Sequence, residues 1–156
     1  MAQKIKIGLD LHGVVDARPE LFRELARALI ANGHEVHIIT GGRKENETAL
    51  LKSFDIPYTH FFSITDHHES LGTPIEWDEN GDPHLDTYLW DKTKAEYCLE
   101  HGIDLHVDDS DIYHYFFKTP YTRFYTKDSY RNKKIHLETL SDHAKKIRSA
   151  TKAAKK

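Results

Sequence analysis

Short apolar runs alternate with amphipathic stretches along the first two thirds of the chain. In Lys4–Leu9, Ile5, Ile7 and Leu9 fall at every second position, which predicts a strand. Pro19 suits the first turn of a helix. Leu21, Phe22, Leu25, Leu29 and Ile30 follow at helical spacing until Asn32–Gly33 stops it. Glu35–Thr40 predicts a second strand running into Gly41–Gly42. Asn46 is placed to cap a second helix through about Phe54, and His60–Ile64 predicts a third strand.

The pattern breaks between about Thr65 and Asp91, where Gly72, Pro74, Gly81 and Pro83 gather around a turn signal at 78–82. A structureless loop of that length is uncommon, so the stretch reads as a hairpin-like flap inserted into the fold. A helix is expected from about Thr93 to His101, ended by Gly102, then a strand at Asp104–Val107. Ile112–Phe117 fits neither period, and Arg123–Thr126 allows one more short strand. From Ile135 a thin apolar stripe of Leu140, Ala144 and Ile147 runs along a lysine-rich helix. This alternation of strands and helices is the mark of an α/β fold with a parallel, Rossmann-like sheet. The expected organisation is one α/β domain over 1–130 and a basic helical tail over 131–156.

The chain has 156 residues, 38% hydrophobic and 30% charged, enough for one ordinary core and too apolar for a disordered chain. No stretch reaches the ~18 apolar residues of a membrane span, so no membrane partner is expected. The one cysteine allows no internal disulfide, and a cytoplasmic setting is expected. The net charge of −3 conceals a division. Residues 1–112 hold 10 Lys and Arg against 22 Asp and Glu, whereas 113–156 hold 12 against 3. The basic end favours a polyanionic partner such as nucleic acid, or else lies as a solvated tail near an acidic body.

Three strand ends carry the chemistry. Asp10 follows the first strand, Thr40 closes the second and Asp108–Asp109 follow the strand at 104–107. Ligands of parallel α/β sheets bind at these carboxyl ends, so folding gathers the three into one crevice. Carboxylates brought that close repel one another, and a hard cation with oxygen ligands relieves the repulsion; Mg²⁺ suits such a set. Lys92 and Lys94, expected at the start of the helix that precedes the strand at 104–107, are placed to neutralise a phosphate.

These positions resemble the four motifs of the haloacid dehalogenase superfamily over about residues 4–117. Asp10-Leu-His12-Gly13-Val14 is similar to the family's Asp-x-Asp-Gly-Val/Thr run, and Thr40 to its strand-closing Thr or Ser. Lys94, with Lys92 as alternate, is similar to its third-motif Lys, and Asp108-Asp109 to its final acidic pair. The resemblance implies a Mg²⁺-dependent phosphatase of phosphate monoesters, with a nucleotide or nucleic-acid end among its candidate substrates. It implies Asp10 as nucleophile and a metal held by Asp10, the His12 carbonyl, Asp109 and Asp108. Thr40, Gly41 and Lys94 or Lys92 would bind phosphate. A flap in place of a large cap would leave the site open to bulky substrates.

One position departs from the family pattern: His12 stands where a second Asp serves as acid and base. Histidine does this work near neutral pH, and a neighbouring cation would favour its neutral form. The alternative is a catalytically impaired phosphate- or nucleotide-binding module. Asp66-His67-His68-Glu69 is the densest histidine cluster but reads as flap rather than a zinc site, and His34 and His37 as structural. Trp77, Trp90 and the run Tyr113–Phe117 suit packing of the flap more than base stacking, and Cys98 reads as a buried small hydrophobe.

Overall fold

The computed structural model describes residues 2–127, 145–147 and 149. The chain divides into two compact units, Met1–Phe124 and Tyr125–Lys156. In the second unit, residues 145–147 are helical, and the Ser149 hydroxyl donates to the carbonyls of Lys145 and Lys146. The rest of the expected basic helix lies outside the described residues.

The first unit is built on a five-stranded parallel sheet. β1 (Lys6–Leu9) leads through α1 (Pro19–Ala31) to β2 (Glu35–Thr40), and through α2 (Lys44–Ser53) to β3 (His60–Ser63). α3 (Ile64–Ser70) and a two-stranded antiparallel hairpin, β4 (Glu76–Trp77) and β5 (Pro83–His84), come next. Then α4 (Thr87–His101) delivers the chain to β6 (Leu105–Asp108), and β7 (Tyr121–Arg123) follows a 3₁₀ turn at Tyr113–Phe116. The strand order is β3-β2-β1-β6-β7, with every neighbouring pair parallel. The architecture is α/β and Rossmann-like.

Alternation along β2 shows how both faces are covered. Val36 and Ile38 pack with Leu9, Leu11, Val14, Phe22, Ala26 and Leu51 in a core shared with α1 and α2. Ile39 joins Tyr97, Cys98 and Ile103 in a second core shared with α4. A strand buried on both faces reads as a nearly continuous apolar run, as Val-His-Ile-Ile does. Cys98 is fully buried, and burial lifts its thiol pKa to about 12, in keeping with a packing role.

Several boundaries differ from the sequence reading; β1 begins at Lys6, and β6 runs from Leu105 to Asp108. α2 begins at Lys44, so Asn46 lies inside it and caps nothing. Ile64 opens α3 instead of closing β3: the Ser63 hydroxyl accepts from the Asp66 amide and starts a helix there. The Asp66–Glu69 cluster is therefore helical, not flap. α4 begins six residues earlier than expected because Asp86 caps it, accepting from the Leu89 amide. The last strand is Tyr121–Arg123 rather than 123–126. The flap thus shrinks to the hairpin between α3 and α4. No helix among the described residues is long and apolar enough to cross a membrane.

Candidate functional site

From the central strand β1 the chain winds outward to β2 and β3, then crosses to β6 and β7 on the other side. The reversal lies between β1 and β6, and a crevice opens at the carboxyl ends of two strands whose connections diverge. Asp10, which leaves β1 with its amide donating to the Val107 carbonyl at 2.9 Å, and Asp108, the last residue of β6, stand on its two sides. A cavity of about 520 Å³ there is lined by Asp10, His12, Thr40, Lys94, Asp109 and Tyr113, among others.

Lys94 ties the two strand ends together. It projects from the middle of α4 into the interior, only 2% exposed, and its Nζ donates to Asp10 Oδ1 at 2.9 Å and Asp108 Oδ2 at 2.8 Å. Burial opposes its charge, but the two carboxylates prevail and hold its pKa above the ordinary lysine value. Lys92 takes no part. It pairs with Glu96 at 2.9 Å on the outer side of α4 and does not line the cavity. Both lysines sit past the first turn, where the sequence reading had put them, because α4 starts at Thr87.

The three aspartates are not equivalent. Asp108 is fully buried, and its oxygens are taken by Lys94, by His106 Nε2 at 2.9 Å and by the Ser110 amide at 3.1 Å. Burial alone would raise its pKa, but the His106 hydrogen bond and the Lys94 charge hold it down at about 2. Asp10 moves the other way, to about 7: burial dominates, and the charges of Asp108 and Asp109 offset much of the help from Lys94. Asp109 faces the solvent, and burial of its carboxylate and the Asp108 charge raise its pKa too. One carboxylate oxygen from each aspartate falls within 4.8 Å of the other two.

Fully ionised, the three carboxylates would outnumber the Lys94 ammonium by two; the raised pKa values of Asp10 and Asp109 record the cost of that surplus without a counter-ion, and burial keeps His106 from supplying one. That surplus matches a divalent ion, and the oxygen-only donors suit a hard one such as Mg²⁺. The backbone is shaped for it. His12 is extended (φ −78°, ψ 128°), and Gly13 is left-handed at φ 79° with its amide donating to Asp16 Oδ1 at 2.7 Å. A Cβ at residue 13 would collide with the Asp109 carboxylate, so only glycine lets the loop after β1 approach that group. Thr40, 1% exposed, lines the same cavity, and its buried hydroxyl has no protein partner.

His12 is clamped between carboxylates, Nε2 at 2.8 Å from Glu47 and Nδ1 at 3.0 Å from Asp16. Burial works against the imidazolium, but those hydrogen bonds outweigh it and raise the pKa. Sequence reasoning missed Glu47. It lies 93% buried in the first turn of α2, where a Cβ at Gly42 would strike it. It missed His106 as well, which stacks on Phe117 beneath Asp108. Gly41, expected at the phosphate, gives its carbonyl to Thr65 and lies under Trp90, whose Nε1 donates to the Tyr113 hydroxyl at 2.9 Å.

The hairpin reaches the mouth of the cavity through Asp82 and Pro83. It is anchored where Trp77 packs on the Arg43 guanidinium, 4.4 Å from the ring centre, and Arg43 pairs with Glu69. The Asp66–Glu69 cluster assembles no metal-binding group among the described residues. His68 bonds Thr73 and Thr93, and Asp66 accepts from the Lys44 amide. Compared with protein-family models, curated proteins and solved structures, the chain finds no match.

Proposed function

We propose that the protein is a Mg²⁺-dependent phosphohydrolase of the haloacid dehalogenase type, acting on phosphate monoesters through Asp10. The observation that carries this reading is the cluster of three aspartates around one lysine at the adjoining ends of β1 and β6, beside the unpaired Thr40 hydroxyl. In this reading Asp10, Asp109 and the His12 carbonyl hold the cation, and Asp108 backs it through Lys94 and His106. Bound there, Mg²⁺ supplies positive charge that lets an anionic ester approach carboxylates and polarises a phosphoryl oxygen.

The chain's own groups do the rest. The Asp10 oxygen not held by Lys94 attacks phosphorus, and the bond to the ester oxygen breaks as His12 gives that oxygen a proton. A water then surrenders its proton to His12 and attacks the aspartyl-phosphate, releasing phosphate and restoring Asp10. Lys94 and Thr40 face the transferring group and bear on its oxygens as charge spreads over them. A cavity of about 520 Å³ suits a small ester or a nucleotide. The basic balance of residues 113–156 favours nucleotides or nucleic-acid ends among the candidates.

The test is phosphate release by the full chain with Mg²⁺ from a panel of sugar phosphates, nucleoside monophosphates and end-phosphorylated oligonucleotides. Activity is expected, with a loss of about 10³-fold or more in Asp10→Asn. Turnover that survives Asp10→Asn contradicts the mechanism. A second reading, a phosphate-binding module without turnover, is favoured by one observation: both His12 nitrogens are already committed to carboxylates. It expects calorimetric binding of Mg²⁺ and phosphate with no release from any ester, and hydrolysis gained in His12→Asp.

A further inference from the structure

A second group of donors lies at the opposite end of the sheet. Glu35 opens β2 and His37 follows two residues on, so both project from the same face, the one covered by α4. The register sets His37 directly across from His60, the first residue of the edge strand β3. One donor atom from each of the three lies within 4.8 Å of the others. Glu35 Oε2 is the hub, 2.9 Å from His37 Nε2 and 4.0 Å from His60 Nδ1.

Apart from His37, no group holds that oxygen at hydrogen-bond distance among the described residues. Lys4 pairs with the other carboxylate oxygen, Oε1, at 2.6 Å. Lys6 Nζ is 3.8 Å from Oε2, but its hydrogen bond, at 2.9 Å, goes to the His101 carbonyl. His37 is 1% exposed, and its Nδ1 meets the Tyr97 hydroxyl of α4 at 2.8 Å. Such a partner behind the ring is what orients an imidazole toward a metal. The rings of His37 and His60 stack at 4.2 Å and 8°, an arrangement two imidazolium ions would not keep. His60 is exposed at the sheet edge, and its Nδ1, 4.0 Å from Oε2, now meets the Thr59 hydroxyl at 2.9 Å, a contact that the ion would replace.

We propose that Glu35, His37 and His60 bind a divalent transition metal of the zinc class. Two imidazoles and a carboxylate suit zinc and not magnesium, and three protein ligands leave a position for solvent. The ion would take the place of the proton shared by Glu35 and His37, and it would fasten the edge strand β3 to β2 and, through Tyr97, to α4. This site lies at the strand starts and is independent of the phosphatase reading.

The experiment titrates the full chain with zinc chloride alone, by calorimetry and thermal melting, in wild type, His60→Ala, Glu35→Gln and Asp109→Asn. Wild type and Asp109→Asn are expected to share one site whose affinity falls at least about tenfold in His60→Ala and Glu35→Gln. At about a hundredfold excess over Kd, zinc should raise the wild-type Tm by roughly 5–10 °C. His60→Ala, altered at an exposed position, should fold and melt normally yet lose that rise. Cobalt in place of zinc should give a ligand-field spectrum that His60→Ala lacks. No zinc binding by wild type, equal binding by His60→Ala, or binding lost only in Asp109→Asn would each overturn the proposal.

Discussion

Replacing Lys94 with Met tests the electrostatic core of the site while keeping an unbranched apolar stem one atom shorter. The ammonium is 2% exposed and bonded to Asp10 at 2.9 Å and Asp108 at 2.8 Å, so its removal leaves buried carboxylates without their cation. Breaking a buried pair in this way costs about 3–5 kcal/mol, or roughly 6–20 °C in Tm for a chain of this size. The loss should depend on pH. Asp10 in the wild type is raised to about 7 from 3.8, so the folded state holds its proton more tightly than the unfolded one. That preference destabilises the fold progressively as pH rises from about 4 to 7 and adds nothing further above 7. Without Lys94 the Asp10 pKa climbs higher, and the variant goes on losing about 1.4 kcal/mol per pH unit above 7, where the wild type is level. Urea denaturation at pH 6, 7 and 8 measures this as a gap that widens with pH. Lys92→Met, which breaks a surface pair with Glu96 and an exposed contact with the Tyr88 ring, should barely move the midpoint. A Lys94→Met midpoint equal to the wild type, or a gap that stays constant with pH, would refute the account of the buried cluster.

Two further predictions concern the loop after β1. Gly13→Ala forces a side chain onto a backbone at φ 79° and against Asp109, so it should cost about 1–2 kcal/mol in urea denaturation and abolish the Mg²⁺-dependent rise in Tm. In Glu47→Gln the strongest support of the His12 imidazolium is gone; NMR titration should find the His12 pKa above 6.5 in the wild type and lower in the variant.

The sequence made some of this plain and hid the rest for physical reasons. β2 was legible to the residue because Asn32–Gly33 and Gly41–Gly42 bracket a run that is apolar on both faces. α3 was hidden because Ile64-Thr-Asp-His-His-Glu-Ser has one strongly apolar residue and hence no helical stripe. Its signal was the Ser63-x-x-Asp66 cap. The start of α4 was masked in the same way: Trp90, Asp91 and Lys92 follow one another without a consistent face, and only the Asp86 cap announces the helix. The ends of β1, β2 and β6 were legible as a site because parallel topology brings such ends together. Lys94 could be separated from Lys92 only by the register of α4, which follows from its true starting point. Glu47 and His106 were invisible because their parts depend on long-range packing: one is 35 residues from His12, and the other turns inward from a short strand beneath Asp108.

The most direct measurement is a crystal structure of the full chain grown with Mg²⁺ and beryllium fluoride, a mimic of the aspartyl-phosphate. The account predicts beryllium bonded to an Asp10 carboxylate oxygen, and one Mg²⁺ shared by Asp10, the His12 carbonyl and Asp109, with the Thr40 hydroxyl and Lys94 on the fluorides. Magnesium bound elsewhere, or beryllium fluoride missing from Asp10 while the cation site is filled, would contradict it.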